Sequence, residues 1–365
     1  VFPLPPIVAA ALAGFAALIA TYLPRPAWLV RTLDGVAAAT PFGWYLLGVV
    51  LGPGLGLLDT ALLDAGTPAL ACAIGWIAAR AGATLAAPRP PEERRDNSAL
   101  AVAGLALVIP AALLYGAGRF LPAALAPDWK PLPAVIATLA AALVVAGAAD
   151  TRSTTAALLA ATGALASLLP HAHRADAFRA AAWAGYAIGG AAISAIVAAQ
   201  LARRAPSHFP ATVAGVGLAA GIGLASGTSP ILVCALTGAA LARWSPAHVR
   251  LAVDLRATEP VASAALWIAA GAMFGGALLT VVIAAALLSL LPLVRRLFIG
   301  TAASDYALGL AIVLSFTITA ATAIGPLGRA ILTAGALALL LSAAVPAFKS
   351  SARLTSRHSR PEVSA

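Results

Sequence analysis

The chain has 365 residues, 61% of them hydrophobic and only 10% charged, with a formal net charge of +10. Repeated apolar stretches near the length that crosses ~30 Å of hydrocarbon argue against a soluble domain and predict an all-α polytopic membrane protein. Lys and Arg fall in short segments between the apolar blocks, so the positive charge is read as positive-inside anchoring and not as a nucleic-acid surface.

In chain order, apolar spans are expected near 6–23, 40–58, 61–83, 98–117, 132–169, 176–201, 209–226, 229–243, 259–275, 277–294, 303–322 and 326–346. The first begins VFPLPPIVAAALAG, without a basic leader region, and reads as a membrane helix. The stretch 132–169 is too long for one untilted crossing, so it is two helices or one broken helix, which gives about 12 or 13 spans. Thirteen would place the basic clusters at Arg25 and Arg31, Arg80 to Arg95, Arg203 and Arg204, Arg243 to Arg256, Arg295 and Arg296, and the tail on one side. Residues 1–348 then form a single transmembrane domain, and the polar, basic segment 349–365 is expected to be a disordered cytoplasmic tail.

Glycines at small-xxx-small spacing, Gly48, Gly52 and Gly56, Gly185 and Gly189, and Gly217, Gly221, Gly223 and Gly227, are expected to let helix backbones approach closely. Cys72 and Cys234 each lie inside an apolar span and read as buried packing residues. His171 and His173 have no third ligand nearby, so no metal or other cofactor is expected. No phosphate-binding loop, zinc motif or Ser-His-Asp arrangement is visible, and the chain reads as a non-enzyme. Asp176 and Asp305 lie near helix starts, and Glu259, directly before Pro260, reads first as a helix-start residue favoured by the dipole.

Two segments, GWYLLGVVLGPGLGLLD at 43–59 and GLASGTSPILVCALTGAALARWSPAHVRLAVDLRATEPVASAALWIAAGAMF at 223–274, occur in an order that resembles the monovalent cation:proton antiporter superfamily, the sodium/proton and Kef-type exchangers. The resemblance implies inverted repeats, approximately 40–201 and 209–346, each with a broken helix crossing the other near the bilayer midplane. The candidate breaks are Asp150, Thr151, Arg152, Ser153 and Thr154, with Thr155, and LSFTITAATAIGP with Ser315, Thr317, Thr319 and Thr322. Their hydroxyls would satisfy freed backbone groups and offer oxygens to a cation. Family exchangers carry one or two carboxylates on the next helix; RAAAWAGYAIGG at 179–190 has Gly185 and Tyr186 there instead, and Tyr186 would donate a hydrogen bond in that cavity.

What the resemblance implies is exchange of Na+ or K+ for protons by alternating access in a bacterial inner membrane, by a chain embedded in the lipid bilayer and paired as a homodimer. Two alternatives stand beside it: an antiporter-fold subunit or sensor without proton coupling, and a carrier of an uncharged or anionic solute. Asp150 and Arg152 read either as a relocated coupling pair, facing each other across an extended break, or as a helix cap and a positive-inside anchor in a short turn.

Overall fold

The computed structural model describes residues 40–86, 159, 162, 163, 166, 177–204, 209–244, 248–275, 306–324, 329–330 and 332–340. These residues are almost entirely helical and include no strand, which makes the fold all-α over this part of the chain. The elements are α1 (Thr40–Val49), a π-helical turn (Val50–Gly54), α2 (Thr60–Ala65), α3 (Thr67–Ala86), α4 (Ala177–Arg204), α5 (Phe209–Ser226), α6 (Pro230–Trp244), α7 (His248–Ala272) and α8 (Tyr306–Ile324). Helix α3, 20 residues and so about 30 Å long, and the Gly185–Arg203 part of α4 are long and apolar enough to cross a membrane.

Local chemistry sets most of the boundaries. Pro53, which has no N–H, sits in the π-helical turn that closes α1, and Gly56, at φ 65°, turns the chain away. Asp59 caps α2, its Oδ1 accepting from the Leu62 N–H at 2.7 Å. The expected span 61–83 is therefore two helices, divided at Gly66. Between α5 and α6 only Gly227, Thr228 and Ser229 intervene. Gly227 takes φ 69°, and the Ser229 hydroxyl accepts from the Ile231 N–H at 3.2 Å with Pro230 opening the helix. Ser226 Oγ donates to the Ile222 carbonyl at 2.6 Å and lies 2.8 Å from Thr228 Oγ1, so this half-buried turn carries its own hydrogen bonds.

Helix α3 is the centre of the described bundle, packed by α6, α7 and α5, while α1 packs chiefly on α7. Where backbones meet, glycine makes room. A methyl group on Gly82 would overlap the Ala235 backbone of α6, and one on Gly238 of α6 would overlap the Ala79 backbone of α3. The crossing of α7 by α1 and its π-helical turn is built in the same way, from Gly48 of α1 and Gly52 of the turn against Ile268 and Ala272, and Gly271 against Tyr45 and Gly48. Of the expected close-approach glycines, Gly48, Gly52 and Gly223 hold, a side chain at Gly223 coming within 3.1 Å of the Pro230 backbone. Gly56, Gly185, Gly189, Gly217 and Gly221 have no neighbour within 4 Å of the position a side chain would take, so at these positions the motif marks open space. Gly82→Ala is expected to cost about 1–3 kcal/mol by forcing α3 and α6 apart, measured as a lower midpoint for loss of the folded species on heating in detergent.

Four further expectations are corrected. Cys72 is exposed, and of the two free thiols only Cys234 is buried. The expected span 259–275 begins instead at His248, because HVRLAVDLRAT continues the helix, and Glu259 and Pro260 fall inside α7. Arg80 is not a flanking anchor, since it lies within α3 and is 9% exposed. The helix α8 runs unbroken from Tyr306 to Ile324 across the hydroxyl-rich stretch expected to interrupt it.

Candidate functional site

Arg80 lies on α3 between Ala79 and Gly82, the residues that meet α6 backbone to backbone. Small residues there, Ala78, Ala79, Ala81 and Gly82, leave the long guanidinium side chain as the only polar group on a buried stretch of helix. It reaches α7 and forms an ion pair with Glu259, the two side chains being 11% and 13% exposed. One turn earlier on both helices, the Trp76 indole Nε1–H donates to the Leu255 carbonyl at 3.3 Å, and the Trp76 ring lies against Phe209 of α5 with centroids 6.3 Å apart. Two cross-ties, one neutral and one ionic, thus join α3 to α7.

The ionic tie falls where α7 is least able to support itself. Pro260 has no N–H, so the Arg256 carbonyl loses its helical donor in the middle of a 25-residue helix. Thr258 Oγ1 also donates back to the Asp254 carbonyl at 2.7 Å, a bond that bends helices. Beyond Pro260 the helix is held on α1 by the glycine crossing and by the edge-on contact of Tyr45 and Trp267, centroids 6.4 Å apart.

Magnitudes separate structure from function at this pair. Burying each ion costs several kcal/mol, and the attraction between them roughly offsets that cost, so an apolar pair of similar volume would hold the helices as well. A charged pair that adds little to the stability of the fold is a candidate for function, and here both partners are defined.

Asp150, Thr151, Arg152, Ser153 and Thr154 lie outside the described residues, as do His171, His173 and the 349–365 tail. Tyr186 is on the outer face of α4, 58% exposed beside Ile188 at 63%, and does not enter a buried cavity. Ser315 and Thr317 are each 1% exposed within α8, but their hydroxyls donate to their own helix, to the Ala311 carbonyl at 2.7 Å and the Leu314 carbonyl at 2.8 Å. A helix that keeps its backbone bonds leaves no freed groups for them to satisfy.

Among the described residues, two buried hydroxyls, of Tyr45 and Ser194, have no hydrogen-bond partner. An unpaired buried hydroxyl costs about 1–3 kcal/mol. Tyr45→Phe is therefore expected to leave thermal stability unchanged or to raise it, a result read directly from the melting midpoint. Among the described residues no group of three His, Cys, Asp or Glu side chains comes together to hold a metal. No family model matches this sequence, and no curated protein matches it.

Proposed function

We propose that the chain is a multi-pass membrane carrier that exchanges Na+ or K+ for protons by alternating access, with Glu259 as the coupling carboxylate. In this reading the Arg80 guanidinium occupies Glu259 in the resting state, and an arriving cation or proton competes with it for the same oxygens. Competition for one site couples two fluxes, because the carboxylate cannot serve both ions at once. The arginine keeps the site charge-compensated while it is empty, which lowers the cost of carrying a carboxylate inside the bundle.

The observation that carries the proposal is the buried Arg80–Glu259 pair, joining the central helix α3 to α7 beside Pro260. Proton-coupled carriers place ionisable residues at helices whose regular hydrogen bonding is interrupted. Glu259 thereby takes the role expected of the carboxylate missing at Gly185 and Tyr186, while Asp150 and Arg152 remain a second candidate pair.

Proteoliposomes loaded with a pH-sensitive dye test this reading. Wild type is expected to give a pH change on addition of Na+ or K+, and Asp150→Asn is expected to retain it. A flux that neither ion elicits would contradict exchange and favour a subunit or sensor. A flux abolished by Asp150→Asn would move the coupling site to 150–154.

A further inference from the structure

We infer that one end of the bundle, where α4 and α6 finish and α5 and α7 start, is a binding surface for an anionic phospholipid, its phosphate drawn to Arg203, Arg243 and Arg256 and its acyl chain laid along the outer face of α5. This rests on the membrane part of the proposed function and not on ion exchange.

The packing of the helices brings the three cations to the same end. Helices α4 and α5 run antiparallel, since a side chain at Gly190 would meet Ile222 and one at Gly215 would meet Ala198. Helices α5 and α6 do the same, with Gly223 against Pro230 and the Cys234 thiol donating to the Val216 carbonyl at 3.7 Å. The last turn of α4, the first of α5 and the last of α6 therefore share one end of the bundle. Trp76 brings α7 to it, because its ring lies against Phe209, the first residue of α5, while its N–H donates to the Leu255 carbonyl.

Arg203, Arg243 and Arg256 are exposed, and none forms an ion pair with a described residue. The helix backbones carry Arg204 and Arg250 to the same end. Against them, α4 to α7 hold two acids, Asp254 and Glu259, and Glu259 is taken by Arg80. Apolar surface borders the cations: Leu201, Phe209, Val213 and Val253 are 41%, 44%, 43% and 60% exposed. Cations beside apolar surface suit an amphiphile, since a small anion would leave the apolar part uncovered and a zwitterionic headgroup would return a positive charge to the arginines. From Phe209 the outer stripe of α5 continues through Val213, Gly217, Gly221 and Leu224, with open space at both glycines. It is about 22 Å long, enough for an acyl chain to follow one leaflet of a ~30 Å hydrocarbon core.

Native mass spectrometry of the full chain, released from micelles doped with equal amounts of phosphatidylglycerol and phosphatidylcholine of identical chains, counts the lipid retained. Each cation near an anionic headgroup is worth about fivefold in affinity, so wild type is expected to prefer phosphatidylglycerol and Arg203→Gln/Arg243→Gln/Arg256→Gln to bring the ratio close to one. Arg243→Gln alone is expected to lose part of the preference, which carries the test if the triple variant fails to fold. Arg329→Gln, an exposed arginine beside Gly275, is expected to keep it. Gly221→Phe, which fills the stripe, is expected to lower retention of phosphatidylglycerol without changing a charge. Equal retention of the two lipids by wild type would overturn the site, as would a preference that the triple variant keeps or displacement of the lipid by inorganic phosphate. A protein that stays soluble without detergent would refute the membrane reading itself, whereas one that needs micelles and shows no lipid preference refutes only this surface. Retention does not read ion flux, so an inactive carrier with this preference would refute exchange and leave the surface standing.

Discussion

Arg80→Ala is expected to destabilise the protein by about 3–5 kcal/mol, the largest single-residue effect in the described bundle. The cost comes from what remains. Glu259 is 13% exposed, so deleting the guanidinium leaves a carboxylate in a largely dehydrated site with neither its partner nor bulk water. Alanine also removes the aliphatic stem that fills the space between α3 and α7. Arg80→Met, which keeps most of that volume, should be nearly as damaging, whereas Arg80→Met with Glu259→Leu should recover most of the loss because both charges go together. Thermal unfolding in detergent, followed by size exclusion, measures the series. A small effect for Arg80→Ala would mean that Glu259 reaches solvent without its partner.

Glu259→Gln is expected to abolish cation-dependent proton flux, reducing it to the level of protein-free liposomes, while leaving the protein foldable. Glutamine keeps the size of the side chain and one carbonyl acceptor for Arg80, so the tie between the helices is weakened but not removed. It cannot bind or release a proton, and it offers a cation no full charge. The two substitutions thus separate along different axes: Arg80→Ala is read in stability, and Glu259→Gln in transport. If Glu259→Gln kept full flux, the coupling carboxylate would lie elsewhere.

Where helix ends are written in local chemistry, sequence and structure agree closely. The expected span 209–226 is α5, and 229–243 differs from α6 by one residue at each end, because Gly227, Ser229 and Pro230 each have a fixed local role. The same cue misleads at Pro260. A proline after a glutamate reads as a helix start, and the charged HVRLAVDLRAT before it reads as a loop, yet Leu255 is buried and ties the segment to the bundle. Had α7 been extended back to His248, Glu259 would have stood out as an acid near the middle of a helix. Arg80 was hidden differently: it falls three residues before the end of the expected span 61–83 and close to Arg89, Arg94 and Arg95, so anchoring explained it without a partner. The pairing of Trp76 with Leu255 and of Arg80 with Glu259 spans 179 residues of chain, and no local pattern announces it. The close-approach glycines divide in the same way. Gly48 and Gly52 fit the short motif, whereas Gly82 and Gly238 are chosen by the crossing of two helices distant in sequence.

The central claim is that the Arg80–Glu259 pair is a working part of the transport cycle and not a strut. The most direct measurement is the charge-swapped protein, Arg80→Glu with Glu259→Arg, assayed side by side for thermal stability and for Na+- or K+-dependent proton flux. A swapped pair still neutral and able to bond should recover much of the stability lost in Arg80→Ala, yet transport should stay at background, because the carboxylate is now carried by α3 and not by the proline-interrupted helix α7. A swapped protein that folds and exchanges ions as well as wild type would contradict the claim and reduce the pair to a structural tie.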